Sequence, residues 1–336
     1  MPQRPRVAVS PPLLDLAMPD VTRRVTRAQF ERWCLQGRDL IGGGKPDALH
    51  DYRTAMRRLR TLLRSLSHWL PDVSPGSRRR LRDLMQLTGP ARNLEVLLAW
   101  IEQHRLALTP SQRSGARWLS KRIEIQLATT NQEIQKRLAK KGVKVENRLR
   151  AELFSSLRVA SSAPPANIAL RRLFRQATGT LNRRLTAITA MTDRTTIHSA
   201  RIAAKRLRYL LEPFSAELPD GAAMIQRLQE LQDLVGGITD VHVAADELRD
   251  GLILVSARSA QRLTHKLLPW SRSIDDGTRG QPPPIRAKAG LVTLANLLRN
   301  EGDEHFARFE SWLGEPKRTL LGLLRKAGAV NRGGRI

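Results

Sequence analysis

The residues of this chain that are best suited to do chemistry form a basic pattern that occurs twice. The frame His-x-x-Arg-x-x-x-(Arg/Lys)-Arg-Leu-Arg begins at His50 and again at His198. Its basic positions are His50, Arg53, Arg57, Arg58 and Arg60 in the first copy, and His198, Arg201, Lys205, Arg206 and Arg208 in the second. Guanidinium groups donate charge-assisted, often bidentate hydrogen bonds to phosphate and carboxylate oxygens. The pattern therefore indicates anion binding by two similar units.

Helical geometry places most of these cations on one face. At about 100° per residue, the side chains of His50, Arg53, Arg57, Arg60 and Arg64 fall within an arc of about 80° that extends about 21 Å along the axis, and apolar residues occupy the opposite arc. The second copy repeats this pattern, except that Glu212 stands where the first copy has Arg64. We term the two rows the first comb (His50, Arg53, Arg57, Arg60 and Arg64) and the second comb (His198, Arg201, Lys205 and Arg208).

The alternative is that the combs are ordinary solvent-exposed helix faces, which are often charged. Such faces usually mix signs, because opposite charges three or four residues apart attract each other. The combs instead place like charges at these spacings, which is repulsive unless an anion lies between them, and the repetition of the frame favours a binding surface. A further row at four-residue spacing, Arg113, Arg117 and Lys121, fits a third basic surface and a solvated face equally well.

The composition fits a folded protein with a polyanionic partner. The chain has 336 residues, of which 41% are hydrophobic, enough for two packed domains. Its formal charge of +27 attracts nucleic acids, anionic membrane surfaces and inorganic polyanions. The single cysteine, Cys34, excludes an intramolecular disulfide and a thiolate cluster. No apolar run reaches the ~18 residues of a membrane span, and Pro11 and Pro12 interrupt a signal-like start, so we expect a soluble cytoplasmic protein.

Helical periodicity runs along almost the whole chain and predicts an all-α fold. The expected helices of the first unit lie near 20–41, 47–69, 76–106 and 111–140, with a break at Gly89-Pro90. Those of the second unit lie near 166–190, 194–216, 220–250 and 252–272, and shorter helices follow near 287–314 and 316–327. The resulting prediction is a loose leader over 1–19, a first four-helix bundle over 20–160, a duplicated second bundle over 166–272, and a C-terminal helical extension over 285–328 without a repeat partner.

The two frames resemble the conserved histidine α-helical domain, known as the CHAD domain. The segments Gly89 to Asn93 and Gly236 to Asp240 resemble the second motif of that family, although Asn93 and Thr239 depart from its usual residues. The resemblance covers about residues 20–275. It implies two four-helix bundles related by a pseudo-twofold axis, and it implies binding of inorganic polyphosphate, with some members found on storage granules. The Glu-x-Glu-x-Lys signature of the triphosphatase domain that accompanies some members does not occur in this sequence.

The leading functional prediction is non-catalytic binding of polyphosphate, with association with storage granules as a further expectation. The resemblance places this role on His50, Arg53, Arg57, Arg60, His198, Arg201, Lys205 and Arg208. Arg64, Arg58 and Arg206 extend the same surface, and the row Arg113, Arg117 and Lys121 would widen it. No catalytic group and no cofactor are expected.

Two other functions remain as alternatives. Nonspecific nucleic-acid binding would use the same basic surface, but apart from Tyr52 and Tyr209 no aromatic residues are interleaved with the combs to stack on bases. Metal binding by His50 and His198 would place a cation among arginines, and neither histidine has a His or Cys three or four residues away. Both alternatives are less consistent with the pattern than binding of polyphosphate.

Overall fold

The structure is a computed structural model that describes residues 11–43, 47–155, 163–268, 284 and 287–329. These residues form α-helices joined by short turns and contain no β-strand, so the predicted all-α class is confirmed. The helices are α1 Met18–Ile41, α2 Ala48–Ser65, α3 Pro75–Leu87, α4 Gly89–His104, α5 Arg113–Arg137, α6 Val143–Phe154, α7 Ala166–Thr186, α8 Arg194–Leu211, α9 Gly221–Leu267, α10 Ala287–Trp312 and α11 Glu315–Ala329.

The segment that precedes α1 is held in place where the structure describes it. The backbone amides of Leu13 and Leu14 both donate to the carboxylate of Glu217, each at 2.8 Å. The amide of Ala166 donates to the carbonyl of Leu16 at 2.9 Å, so the first turns of α1 and α7 lie side by side. The loose leader expected over residues 1–19 is therefore fixed from Leu13 onward, and residues 1–10 lie outside the described residues.

The expected break near Gly89-Pro90 is confirmed, whereas the expected break near residue 251 is wrong. Pro90 lacks an amide hydrogen, and α3 ends before it while α4 begins at Gly89. In contrast, α9 continues through Gly251 as one helix of 47 residues. A Cβ atom at Gly251 would lie 3.5 Å from Leu291 and 3.6 Å from Leu119. Both distances are ordinary van der Waals contacts, so this glycine lies inside a packed helix, which local sequence patterns cannot distinguish from a helix end.

The last two helices belong to the core of the protein. Helix α10 packs against α9 and α5, and α11 packs against α7 and α9. Phe309 and Leu320 are completely buried in the same apolar cluster as residues of α7, α8 and α9. The segment predicted as a C-terminal extension, 285–328, therefore completes the core where the structure describes it. Its helices carry no polar motif, and an apolar pattern alone did not reveal which helices they contact.

Two glycines allow α5 and α10 to cross at backbone contact. A Cβ atom at Gly115 would lie 2.2 Å from the carbonyl oxygen of Ala287, and one at Gly290 would lie 2.0 Å from the carbonyl oxygen of Gln112. The contact is reciprocal, as it would be at a twofold axis. Buried residues continue the correspondence at a constant offset of 175 positions, in the pairs Leu119 and Leu294, Ile123 and Leu298, Ile134 and Phe309, Val145 and Leu320, and Leu149 and Leu324.

We propose on this basis that α5–α6 and α10–α11 are equivalent elements of two duplicated halves. The second half would then comprise α7, α8, the first part of α9, α10 and α11, and it would extend to residue 329 instead of ending at residue 272. The offset of 175 residues exceeds the offset of 148 between the combs. The difference corresponds to the additional length of α9 and the segment that follows it, which hid the repeat in the sequence.

Candidate anion-binding site

The site is built where the two comb-bearing helices, α2 and α8, pack against each other. The apolar faces of both helices are buried, with Met56 and Leu59 on α2 and Ala204 and Leu207 on α8 all below 1% exposed. The polar edges therefore meet at the contact between the helices. As a result, cations that are far apart in sequence become neighbours.

Four of these cations and Arg92 of α4 form a central cluster, which we define as Arg53, Arg57, Arg92, Arg201 and Lys205. Burial lowers the pKa of Arg57, the charges of Arg201 and Arg92 lower it further, and the hydrogen-bonded hydroxyl of Tyr209 opposes the shift. Burial, followed by the charges of Arg201 and Arg57, lowers the pKa of Lys205 to about 6, although Asp240 opposes the shift. Guanidinium groups remain protonated in proteins. The repulsion is therefore stored in the free protein, except where Lys205 relieves it by losing its proton.

Arg53 has a structural role in addition to its place in the first comb. It is 7% exposed, and its Nη1 donates to the carbonyl of Met85 at 3.0 Å and to the hydroxyl of Thr88 at 2.6 Å. It therefore ties α2 to the junction of α3 and α4. Within the described residues, Nε of Arg53 and Nε of Arg201 are buried without a hydrogen-bond partner, and each is a donor that an anion could satisfy.

The two histidines begin the combs and face solvent. Partial burial of the ring lowers the pKa of His50, as do the charges of Arg92 and Arg57, and Asp51 opposes them. Partial burial, Arg201 and Lys205 lower the pKa of His198. These effects favour the neutral form of both rings. No three His, Cys, Asp or Glu side chains converge as a metal site anywhere in the described ranges, so the metal hypothesis gains no ligand set.

One side of the central cluster carries a second group of arginines, which we term the open flank: Arg60, Arg64, Arg82, Arg184 and Arg206. Burial lowers the pKa of Arg60, and so do the charges of Arg82 and Arg64. Burial also lowers the pKa of Arg206, with contributions from Arg64, Arg184 and Arg60. Arg184 is anchored by a hydrogen bond of 2.8 Å from its Nη1 to the carbonyl of Ser199. The flank therefore combines arginines of α2, α3, α7 and α8.

The opposite side is the closed flank, formed by Arg58, Arg208, Tyr209 and Glu212. Arg58 donates two hydrogen bonds to Glu212, from Nε to Oε2 at 2.7 Å and from Nη2 to Oε1 at 3.2 Å. Nε of Arg208 lies 3.4 Å from Oε1 of the same carboxylate. The guanidinium carbons of Arg58 and Arg208 lie 5.4 and 5.2 Å from the centre of the Tyr209 ring. Glu212 thus engages cations from both helices.

The third basic row lies on a different part of the fold. Helix α5 packs against α4 and α10, whereas the combs lie on α2 and α8. Arg113 donates from Nε to the carbonyl of Leu108 at 3.0 Å, Lys121 pairs with Glu124 at 3.3 Å, and Arg117 is exposed. The structure does not bring these three residues to the central cluster.

Sequence analysis did not single out Arg82, Arg92, Arg184 or Asp240 as site residues. Arg92 lies in the segment Gly89 to Asn93 and Asp240 in the segment Gly236 to Asp240, so their place in the second motif of the family could have identified them. Asp240 lies 3.6 Å from Nη2 of Arg201, and Arg92 pairs with Glu95 at 3.0 Å. Arg82 and Arg184 lie in no repeated pattern, and only the packing of α3 and α7 brings them to the site.

The fold and the site together define an all-helical protein in which two cation-bearing helices pack against each other. The family profile described as the CHAD domain matches residues 24–249, and the chain belongs to this family. The crystal structure of the CHAD domain from the plant Ricinus communis has a similar fold, with a TM-score of 0.61 at 19% identity. That match covers 99% of each chain and so includes α10 and α11. No curated protein matches the chain.

Within the described ranges, no helix combines the length and the apolar character needed to cross a membrane.

Proposed function

We propose that this protein binds inorganic polyphosphate at the two combs without catalysing a reaction. The observation that carries the proposal is the convergence of Arg57, Arg201 and Lys205 from two helices, where the pKa of a lysine falls to about 6. A linear chain of phosphates presents regularly spaced negative charge and no sequence to be read. Such a ligand offsets the repulsion among these cations. Its phosphate oxygens can accept hydrogen bonds from the buried Nε atoms of Arg53 and Arg201.

The burial of the aromatic residues near the combs favours polyphosphate over nucleic acid as the ligand. Proteins that bind single strands without sequence preference usually offer aromatic faces on which bases stack. Tyr52 is 2% exposed and Tyr209 is 3% exposed, and the ring of Tyr209 contacts Arg58 and Arg208. Neither ring can serve as a stacking platform. Localisation in the cytoplasm on polyphosphate-containing granules is part of the same proposal, because a protein with this site would concentrate on such material.

The direct test compares ligands at matched phosphate concentration and salt. We expect the protein to bind long polyphosphate more tightly than duplex DNA or single-stranded RNA in a fluorescence or calorimetric titration. Affinity for polyphosphate should fall linearly on a log–log plot against salt, because counterions are released on binding. Equal or tighter binding of duplex DNA would overturn the proposal and transfer the function to nucleic acid.

The pH dependence of binding provides a second prediction. Bound phosphate favours the charged form of Lys205 and therefore raises its pKa from about 6 in the free protein. Affinity should rise as pH is lowered from about 9 to about 6, with proton uptake that makes the binding enthalpy depend on the buffer. The groups that set this response are Lys205 itself, Arg57 of α2, Arg201 and Arg208 of α8, and Asp240 of α9.

The control for this prediction is Lys205→Arg, which keeps a positive charge at every pH tested. Its affinity should vary much less between about pH 9 and pH 7, and only the histidine contribution should remain below that range. Long chains are required, because terminal phosphates titrate near pH 6 and would oppose the effect. A flat profile for the unmodified protein would show that Lys205 does not contact the ligand.

A further inference from the structure

The two flanks are related by the repeat but differ in the sign of one residue, which is Arg64 in the open flank and Glu212 in the closed flank. Arg58 and Arg206 hold the same position in their frames, and so do Arg64 and Glu212. In the structure Arg206 neighbours Arg64, and Arg58 binds Glu212. A single position therefore decides whether a flank is cationic or neutralised. Glu212, which shortens the second comb in the sequence, forms an ion pair with Arg58 of α2 in the structure.

The open flank is suited to continue the path of a polyanion. Burial lowers the pKa of Arg60 and that of Arg206, and the charges of the neighbouring arginines of this flank lower both further. Asp83 is the carboxylate that offsets this repulsion at Arg60. Phosphates bound here would replace repulsion with charge-assisted hydrogen bonds, which makes this flank the favourable direction away from the central cluster.

The closed flank is suited to end that path. Glu212 occupies the guanidinium of Arg58 with two hydrogen bonds and lies beside Nε of Arg208. The ion pair is largely shielded, with the Arg58 and Glu212 side chains 27% and 23% exposed. A phosphate arriving from the central cluster would have to displace a carboxylate from a well-formed pair and would be repelled by it.

Further cations lie beside this ion pair. A cleft of about 580 Å³ is lined by Arg58 and Glu212 themselves, with Arg24 and Arg32 of α1, Leu13 and Leu62 also on its wall. Arg24 and Arg32 are exposed. No residue of the central cluster lines this cleft, and Arg58, the cation that would link the two, is held by Glu212.

We propose that polyphosphate runs from the central cluster along the open flank, and that Glu212 ends the site on the other side. The cleft with Arg24 and Arg32 lies outside the ligand path as long as Glu212 holds Arg58. This inference rests on the proposed function and adds a direction and a boundary to the binding site. It predicts that removal of the Glu212 charge lengthens the stretch of polyphosphate that the protein contacts.

Three variants and their combination test the boundary. Arg60→Gln with Arg206→Gln should lower the affinity for long polyphosphate at least tenfold and reduce the salt slope, because two phosphate contacts are lost. Arg24→Gln with Arg32→Gln removes the same charge and should change affinity less than threefold. Glu212→Gln should raise affinity about threefold to tenfold and increase the chain length at which affinity stops rising. Adding Arg24→Gln and Arg32→Gln to Glu212→Gln should abolish that gain.

Matched controls separate the boundary from general charge effects. Glu304→Gln neutralises an exposed carboxylate on α10 and should change affinity less than twofold. Circular dichroism and thermal unfolding establish that each variant is folded. The inference is overturned if, in the unmodified background, the Arg24 and Arg32 changes lower the affinity for polyphosphate as much as the Arg60 and Arg206 changes do. It is also overturned if Glu212→Gln raises the affinity for polyphosphate no more than Glu304→Gln does. Absence of polyphosphate binding by the unmodified protein would instead refute the proposed function.

Discussion

Replacing Arg57 with glutamine and Lys205 with methionine should lower the affinity for long polyphosphate by about two to three orders of magnitude. Each residue would donate charge-assisted hydrogen bonds to phosphate from the middle of the site, and such bonds contribute about 1.5–3 kcal/mol each. A loss of about 1.4 kcal/mol is tenfold in affinity, so two contacts account for the expected effect. Isothermal titration at fixed pH and salt measures it directly.

The same double variant should be more stable than the unmodified protein in the absence of ligand. The pKa of Lys205 falls from its ordinary value of 10.5 to about 6 on folding, so the unfolded chain holds this proton more tightly across that interval. The lysine therefore destabilises the folded state below about pH 10, and the penalty is complete below about pH 6. At pH 7 its removal should raise the melting temperature by a few degrees.

The combination of weaker binding and higher stability is the diagnostic result. A matched loss of two exposed charges, Lys140→Gln with Lys141→Met on the segment between α5 and α6, should change affinity less than threefold and leave stability almost unchanged. A double variant at Arg57 and Lys205 that loses stability along with affinity would show that these residues hold the fold, and the interpretation of stored repulsion would be wrong.

The sequence predicted those features of the fold that depend on local periodicity. The apolar and basic arcs of α2 and α8 can be read from residue spacing, because a helix places residues three and four apart on one face. The break at Gly89-Pro90 is equally local, because proline cannot donate a backbone hydrogen bond. For this reason the sequence alone predicts both comb-bearing helices and the row of cations along each of them.

The features that were missed depend on contacts between distant segments. Gly251 was interpreted as a helix end although it is buried within α9, where Leu291 and Leu119 pack beside it. Arg53 was assigned to the comb by its spacing, but its hydrogen bonds to Met85 and Thr88 follow from how α3 ends. The approach of Glu212 to Arg58 joins residues 154 positions apart. No pattern within one helix carries this information.

The α5–α10 crossing gives the prediction with the largest expected effect on stability. Gly115→Ala and Gly290→Ala should each destabilise the protein by about 3 kcal/mol or more, at the upper end of the range for overpacking. A methyl group at either position would lie near 2 Å from a backbone carbonyl oxygen of the facing helix, Ala287 or Gln112. A carbonyl within a helical turn cannot move aside without shifting the turn, so the two helices would have to separate. Chemical denaturation measures the loss.

Gly322→Ala is the matched control, because it makes the same change inside α11 where no atom lies within 4 Å of the new methyl group. It should stabilise the protein by up to about 1 kcal/mol through lower entropy of the unfolded chain. The double variant at Gly115 and Gly290 should lose less stability than the sum of the single losses, because the first methyl group already separates the helices. If both single variants are as stable as Gly322→Ala, the close crossing is absent. Full additivity would show that the two glycines do not share one contact, which contradicts the proposed equivalence of α5 and α10.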